Sequence, residues 1–269
     1  KRRLRKLQKQ NTTMIGLLKK TAFYLMLIIL WTLIYNIFVV KLELWKPYVF
    51  PSPKDVFLTL EALIKDKTLF FGIISSLQRL IIGFGISLII GVVLGVIIVR
   101  YEYLRENVRD LVLGLQTLPS VAWIPFSILW FGLSEATIIF VIAIGSTFAI
   151  AIATEDGIKN VNPQFLKAAK TMGIKGQKLY FKVVLPAALP MIVSGMKQGW
   201  SFAWRALMAG EMLVGTKGLG YILMVGRDLA DISQVVAVMI VIILLGILIE
   251  KLVFVKIESN LREKWGLNK

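Results

Sequence analysis

The chain has 269 residues, of which 57% are apolar and only 18% are charged, with a mean hydropathy of +0.75. Soluble domains carry roughly a quarter charged residues, so this composition excludes an ordinary soluble protein and requires contact with lipid. The balance of 32 Lys and Arg against 16 Asp and Glu gives a formal net charge of +16. Because the sequence has no His and no Cys, thiol nucleophiles, disulfides and metal sites built on these residues are excluded as well.

Several apolar segments are long enough to cross a bilayer, since about 20 helical residues span a hydrocarbon core of roughly 30 Å. Helices are favoured over a barrel because these segments do not alternate apolar with polar residues. The predicted fold is all-α, a polytopic membrane protein with about six transmembrane helices. The predicted spans are residues 21–40, 80–99, 108–131, 136–154, 187–209 and 234–250.

Basic residues are distributed unequally between the two sides that these spans define. If the N-terminus is cytoplasmic, the inner segments hold 22 Lys and Arg and the outer segments hold 8. The inner segments are 1–20, 100–109, 155–182 and 251–269, and the outer ones are 41–79 and 210–233. Since cytoplasmic segments carry the excess of positive charge, both termini are predicted to be cytoplasmic.

The same boundaries divide the chain into three parts. They are a basic cytoplasmic N-terminal segment (1–20), a transmembrane domain (21–250) with a cytoplasmic loop at 155–182, and a cytoplasmic C-terminal tail (251–269). The basic run at the N-terminus is of a kind that can also bind nucleic acid. Next to an apolar span, however, such a run is typical of a topology determinant, so the predicted environment is membrane lipid and no nucleic acid.

Two prolines, Pro119 and Pro125, fall inside the third predicted span. Proline interrupts the hydrogen-bond ladder of a helix and permits a kink or a local opening within the membrane. Such a break marks a substrate path in some proteins and only a packing kink in others, and the sequence leaves both interpretations open.

The loop at 155–182 contains a short predicted helix. Asn162 and Pro163 are a typical helix start, and Gly173 is a typical helix stop. The apolar residues between them, which recur at helical spacing, are Phe165, Leu166, Ala169 and Met172. An apolar face on a loop helix indicates docking to a partner protein rather than catalysis.

At this loop the sequence resembles the membrane-spanning subunits of ABC-type importers. Their loop carries Glu-Ala-Ala, then Gly after three residues and Ile-x-Leu-Pro after nine more. Ala168-Ala169, Gly173 and Leu185-Pro186 stand at those spacings here, while Lys167 replaces the Glu and Val183 replaces the Ile. The coupling residues that the resemblance implies are Phe165, Leu166, Lys167, Ala168, Ala169, Met172 and Gly173.

Further short motifs, in order along the chain, resemble the nitrate, sulfonate, taurine and bicarbonate permeases of that class. They are Phe50-Pro51-Ser52-Pro53, Ser76-Leu77-Gln78-Arg79, Leu118-Pro119, Ile124-Pro125, Leu129-Trp130-Phe131-Gly132, Glu211 and Gly218-Leu219-Gly220. The resemblance implies a type I importer permease in the cell membrane of a prokaryote. The transported solute is then expected to be a small anion, although the same subfamily also takes uncharged ring compounds.

The resemblance also implies the partners of this chain. They are a second permease subunit, expected to be a copy of this chain, two cytoplasmic ATPase subunits and an extracytoplasmic substrate-binding protein. The sequence contains no G-x-x-x-x-G-K-[ST] motif, so no P-loop for ATP is present in this chain. The chain is therefore expected to be no enzyme and to hold no cofactor or metal, with ATP and Mg²⁺ bound by the partner ATPase.

The translocation path is predicted from charge inside the spans. Apart from Arg109 at the entry of the third span, Lys197 and Arg205 are taken as the only basic residues within a predicted span. An intramembrane charge usually faces a cavity or a partner. The predicted path residues are Gln116, Pro119, Trp200, Trp204 and Arg205. The alternative is that Arg205 forms a structural ion pair with Glu211, within two turns of the same helix.

Two other functional classes are weighed against the importer. A channel or a secondary transporter, not coupled to an ATPase, needs a selectivity filter or a central carboxylate for a coupling ion, and neither is found in the predicted spans. A membrane-embedded enzyme lacks His, Cys or a pair of intramembrane acids for its chemistry. The sequence therefore favours the permease subunit of an ATP-driven importer.

Overall fold

The computed structural model describes residues 2–264, with side chains for residues 18–101, 106–261 and 263. Most of the side chains in the basic segment predicted at 1–20, and the end of the tail predicted at 251–269, lie outside that description. The part of the chain that is described consists of helices joined by short loops, which confirms the all-α prediction.

The helices follow one another with few residues between them. In chain order they are α1 (Arg2–Tyr35), α2 (Pro53–Lys65), α3 (Thr68–Arg100), α4 (Glu102–Thr117), α5 (Ile124–Phe131), α6 (Glu135–Lys159), α7 (Pro163–Thr171), α8 (Gly176–Leu179), α9 (Leu185–Val214), α10 (Leu219–Asp228), α11 (Ile232–Ile249) and α12 (Lys256–Lys264). Wider π-helical turns extend α1, join α8 to α9 and join α11 to α12; they cover Asn36–Lys41, Tyr180–Val184 and Glu250–Val255.

Five helical segments among the described residues are long and apolar enough to cross a membrane. They are Leu18–Lys41, Thr68–Arg100, Glu135–Lys159, Gly176–Val214 and Ile232–Leu261. A sixth crossing exists if the bent pair Glu106–Thr117 and Ser120–Phe131 counts as one span. These segments correspond in order to the six predicted spans, and most of them are longer than predicted.

The predicted single helix at 108–131 is wrong, because the chain bends there by 96°. Leu118 and Pro119 leave the helical conformation between the two halves, with ψ of 126° and 135°. Pro119 lacks an amide hydrogen and pushes the residue before it into an extended conformation, which ends α4 at Thr117. The first of the two prolines therefore breaks this span, whereas Pro125 lies in the first turn of α5, where proline is tolerated.

Helices α3, α6 and α9 form the packed centre of the bundle, and glycines bring them close together. A Cβ on Gly91 of α3 would lie 2.8 Å from Cβ of Ile150, and a Cβ on Gly199 of α9 would lie 2.8 Å from Cγ1 of the same side chain. Membrane helices gain no hydrophobic energy from leaving lipid for each other, so close packing through small residues holds them together. Ile150 of α6 thus fills the space between the two flanking helices.

The helix of the last span continues beyond residue 250, where the predicted span ends. The helix continues through the π-helical turn into α12, and Phe254 is buried there against Phe84 and Trp200. By contrast, α1 lies at the edge of the bundle with apolar side chains such as Ile29 more than half exposed. The indole N–H of Trp31 donates to the Pro51 carbonyl oxygen at 3.1 Å, which ties α1 to the segment before α2.

Candidate functional site

The break between α4 and α5 forms one wall of a cavity of about 280 Å³. The opposite wall is made by Gly145 of α6 and by Phe202 and Arg205 of α9. A Cβ on Gly145 would lie 2.9 Å from Cβ of Ser120, so the glycine lets the broken span approach α6. The structure therefore brings three of the predicted path residues, Gln116, Pro119 and Arg205, to one cavity.

Arg205 is an exposed cation within a membrane-spanning helix. Its Nε donates to the Ser201 carbonyl oxygen at 3.1 Å, and the guanidinium carbon lies 4.8 Å from the centre of the Phe202 ring. Among the described residues no carboxylate pairs with it, and the predicted alternative, an ion pair with Glu211, is wrong. Glu211 is engaged by Arg79 instead, so the two Nη groups of Arg205 are available to the cavity.

Gln116 lines the same cavity from α4. Its side-chain oxygen is buried and accepts no hydrogen bond from the described residues. Buried polar atoms normally have a partner, so an acceptor of this kind is suited to a water molecule or a solute within the cavity. The cavity thus presents a cation on one wall and a hydrogen-bonding amide on the other.

Trp200 and Trp204, which were predicted to line the path, do not reach this cavity. The ring of Trp200 packs edge-on against Phe84 at 5.1 Å between centroids, and Trp204 packs against the main apolar core. At about 100° per residue, Trp200 points roughly 140° away from Arg205 around α9. The two tryptophans are neighbours of Arg205 in sequence but not on the helix surface.

The residues that do share the surface of Arg205 form a polar stripe along α9. They are Ser194, Gln198, Ser201 and Arg205, and all are exposed while the residues between them are buried or half-buried. The spacing of four, three and four residues keeps them on one face over about 17 Å. Because polar groups facing hydrocarbon are costly, the stripe is suited to water or to a second protein subunit. The 4-3-4 spacing was the sequence signal for this face.

Lys197, the other basic residue assigned to this span, has a partner inside the protein. Its Nζ lies 2.8 Å from Oε1 of Glu250, at the start of the π-helical turn after α11. The cation is thereby neutralised between two helices of the same chain. Of the two basic residues predicted inside the fifth span, only Arg205 faces the cavity.

A buried charge network near one end of α3 was missed by the sequence analysis. Arg79 is 4% exposed and its Nη1 lies 2.8 Å from Oε1 of Glu211, a fully buried residue, while Nη2 lies 2.9 Å from Oε1 of Glu135. Ser76 and the amide of Gly220 donate to the same Glu211 carboxylate. Arg79 lies within α3, which begins at Thr68, and Glu211 lies within α9, which ends at Val214. Lys197 and Arg205 are therefore not the only charged residues inside the long helices.

The loop at 155–182 contains α7 at the predicted place. Oδ1 of Asn162 accepts a hydrogen bond from the amide of Gln164 at 2.9 Å and caps the helix, and Gly173 follows it with φ of +80°. Phe165 and Met172 are 49% and 79% exposed, and Ala168 lies exposed between them. The free face of α7 therefore consists of Phe165, Ala168 and Met172.

Two residues predicted for that free face are instead used to hold the helix in place. Ala169 is buried, and its carbonyl oxygen accepts a hydrogen bond from the amide of Ile174 at 2.9 Å. Leu166 packs on the apolar cluster around Ile158 and Ile192, which anchors α7 to α6 and α9. The prediction of one continuous docking face is corrected, because the helix needs an inner apolar side to attach to the membrane domain.

The described residues contain no group of three or more acidic side chains placed to hold a metal ion. The described residues instead show a broken span beside a cavity and a loop helix with an exposed apolar side.

Comparisons with known proteins agree with this arrangement. A family model described as binding-protein-dependent transport system inner membrane component matches residues 87–262, which include the cavity and α7. SsuC of Bacillus subtilis, named as an aliphatic sulfonates transport permease, is 32% identical over 221 residues, 81% of this chain and 78% of that one. ThiX of Halalkalibacterium halodurans, a formylaminopyrimidine transport permease protein, is 29% identical over 232 residues, 86% of this chain and 90% of that one.

A solved structure is similar in fold. The MetNI methionine ABC transporter in an inward-facing conformation matches with a TM-score of 0.62 and 21% identity, covering 72% of this chain and 96% of that one. At this identity the likeness concerns the arrangement of the helices.

Proposed function

Because this chain belongs to the family of binding-protein-dependent transport system inner membrane components, we propose that it carries a small anion through the cavity beside Arg205. The chain is a multi-pass membrane protein and the permease component of an ABC importer, and it is not itself an enzyme. The observation that carries the proposed path is the exposed polar stripe from Ser194 to Arg205 in a helix that is otherwise packed or apolar.

The preference for an anion rests on the chemistry of the cavity. The two Nη groups of Arg205 can donate a pair of hydrogen bonds to the oxygens of one anion. The relatives do not decide the solute, since one is named for aliphatic sulfonates and the other for a formylaminopyrimidine. An unpaired guanidinium in the described cavity favours the first of these two classes.

We further propose the assembly in which this path works. A second copy of the chain lies across a water-filled passage from the polar stripe of α9, and an extracytoplasmic binding protein delivers the solute. Cytoplasmic ATPase subunits bind ATP and Mg²⁺ and dock on α7, where Phe165 and Met172 are exposed. The excess of basic residues in segments 1–20, 155–182 and 251–269 supports a cytoplasmic position for that loop and for both termini.

The path is tested by replacing Arg205 in the assembled transporter. Complexes carrying Arg205→Ala or Arg205→Lys are reconstituted with the ATPase and the binding protein, and uptake of nitrate, taurine and an alkanesulfonate is measured. Loss of the guanidinium should reduce uptake about tenfold, since a hydrogen bond to a charged group contributes roughly 1.5–3 kcal/mol. Uptake by Arg205→Lys should lie between that of the unchanged protein and that of Arg205→Ala, because an ammonium keeps the charge but loses the paired geometry.

Arg227→Ala is the matched control, because Arg227 is exposed and pairs with Asp228 away from the cavity. This variant should transport as the unchanged protein does. Unchanged uptake in Arg205→Ala, or a complex that no longer assembles, would contradict a role of Arg205 in the path.

A further inference from the structure

A second buried charge cluster lies at the opposite end of the bundle from Arg79. Glu155 of α6 is fully buried, and its two oxygens face two cations. Oε2 lies 2.5 Å from Nη1 of Arg109 on α4, and Oε1 lies 2.9 Å from Nζ of Lys159, one turn further along α6. The same Nη1 of Arg109 also donates to Oδ1 of Asp156 at 3.0 Å. One guanidinium thus holds two consecutive carboxylates of α6.

The cluster lies close in sequence both to the loop helix α7 and to the cavity wall at Gln116. Glu155 lies seven residues before Asn162, the residue that caps α7. Arg109 lies seven residues before Gln116, which lines the cavity at the break of the span. Seven residues of helix are about 10 Å long at 1.5 Å per residue. The interval from Arg109 to Gln116 lies within α4, and the interval from Glu155 to Asn162 runs from α6 into a short turn. The ion pair therefore joins the base of the loop helix to the wall of the cavity.

Helix α4 needs such a connection because the chain does not supply one. Helix α6 leads directly into α7, and α9 follows α8 and its π-helical turn, so both are connected to the loop by covalent structure. Helix α4 is separated from the loop in sequence by α5 and the whole of α6. Contacts between α4 and α6, which include the pair of Arg109 and Glu155, link α4 to the helix that leads into the loop.

The charged residues restrict movement of α4 relative to α6 more than apolar packing alone would. The Glu155 carboxylate is removed from water and needs its cations close by, so separating it from Arg109 is unfavourable. Beside it, Val112 of α4 packs in an apolar cluster with Ile98 and Ala151. Apolar surfaces can slide past one another with little change in burial, whereas sliding α4 along α6 would separate Arg109 from Glu155 and Asp156.

We infer that Arg109 and Glu155 are positioning residues that transmit movement of the α7 loop to the cavity wall at the break between α4 and α5. This inference rests on the proposed function, in which α7 receives the movement of the ATPase. Neither residue touches the solute. Their contribution is to make α4 move with α6, so that ATP hydrolysis and opening of the passage stay linked.

The test compares variants of the pair in the reconstituted complex with its ATPase and binding protein. The readouts are the amount of assembled complex, its thermal unfolding midpoint, and uptake of solute per ATP hydrolysed. Arg109→Gln should assemble but lower uptake per ATP about fivefold or more, which corresponds to losing roughly 1 kcal/mol of coupling between two sites. Arg109→Lys, which keeps the charge, should retain at least half of the uptake per ATP.

Glu155→Gln supplies the second measurement, because it removes the buried charge from the other side. The double variant with Arg109→Gln and Glu155→Gln should have an uptake per ATP no lower than that of the poorer single variant, since both changes break the same contact. Val112→Ala is the matched control: it loosens the apolar packing between the same helices, three residues from Arg109, without touching a charge. It should lower the unfolding midpoint and leave uptake per ATP unchanged.

Unchanged uptake per ATP in Arg109→Gln would overturn the inference. The same would follow if Val112→Ala lowered uptake per ATP as much at an equal loss of thermal stability. Failure of the proposed function is recognised separately: Phe165→Asp on α7 would then leave ATPase binding and hydrolysis as in the unchanged protein, whatever the result at Arg109.

Discussion

Gly83 of α3 lies directly against Ile142 of α6, so that a Cβ on the glycine would stand 2.7 Å from Cγ2 of the isoleucine. Real Cβ atoms do not approach a neighbour this closely, so the distance between the two helices depends on the missing methyl group. The isoleucine is fully buried at this crossing. Small residues at helix crossings are what hold membrane bundles together, and they make the packing sensitive to a single added carbon.

The first prediction uses two neighbouring glycines of α3. Gly83→Ala should lower the thermal unfolding midpoint and the yield of folded protein, because the new methyl pushes α3 away from Ile142. Overpacking of this kind costs about 1–3 kcal/mol. Gly85→Ala is the control, since nothing lies within 4 Å of a Cβ at that position. It should be neutral or stabilising, and equal losses in the two variants would contradict the packing argument.

The second prediction concerns the polar stripe of α9. The chain has no cysteine, so single cysteines can be introduced at Ser194, Gln198 and Ser201 without altering a background of native thiols. In the assembled transporter these thiols should react with a charged, membrane-impermeant reagent, because the stripe faces water. A cysteine at Leu244 of α11, which is 60% exposed and apolar, should stay unreactive in lipid. Unreactive thiols along the stripe would show that it faces a subunit or lipid instead.

The third prediction concerns the free face of α7. Phe165→Asp and Met172→Asp should reduce copurification of the ATPase, because each places an unpaired charge in an apolar contact. Membrane insertion should be unaffected, since neither side chain lies in a span. Gln164→Asp carries the same carboxylate on the same helix, is exposed, and should leave copurification unchanged. Ala169→Asp is not a clean test, because Ala169 is buried within the loop itself.

The fourth prediction concerns the end of α7, where Gly173 has φ of +80°. Nothing lies within 4 Å of a Cβ there, so a substitution is disfavoured by backbone conformation alone. Gly173→Val should cost about 1–2 kcal/mol locally and weaken stimulated ATP hydrolysis by turning the chain after α7. Gly173→Asn should be close to the unchanged protein, because Asn tolerates the left-handed region. Equal hydrolysis in both variants would mean that this conformation is not needed.

The fifth prediction concerns the buried pair of Arg79 and Glu211. Arg79→Gln leaves a fully buried carboxylate without its cation and should lower stability by about 3 kcal/mol, measured as thermal unfolding in detergent. Lys65→Gln removes the cation of an exposed pair with Glu61 and should change stability by about 0.5 kcal/mol or less. A small effect of Arg79→Gln would mean that Ser76 and Gly220 alone are enough to hold Glu211.

The length of apolar segments, the charge of loops and the residues that start and end helices could be identified without coordinates, because each is a local property. A run such as 80–99 has no charged group, and a helix start such as Asn162-Pro163 depends only on adjacent residues. The loop helix was therefore predicted where it occurs, whereas the two prolines, Pro119 and Pro125, indicated only that the third span could be kinked. The two halves of the broken span, by contrast, were predicted as one helix, since proline permits a bend but does not determine its angle.

Hydropathy and residue spacing were enough to identify a helical membrane protein whose loop at 155–182 carries a short amphipathic helix. The packing of the helices decided which charges meet: Glu211 contacts Arg79, 132 residues away, and not Arg205 on its own helix. It also decided that Arg205 faces the broken span while Trp200 and Trp204 face the core. The reason is that hydropathy and spacing describe one helix at a time, whereas a buried ion pair or a cavity wall depends on how several helices are rotated against each other.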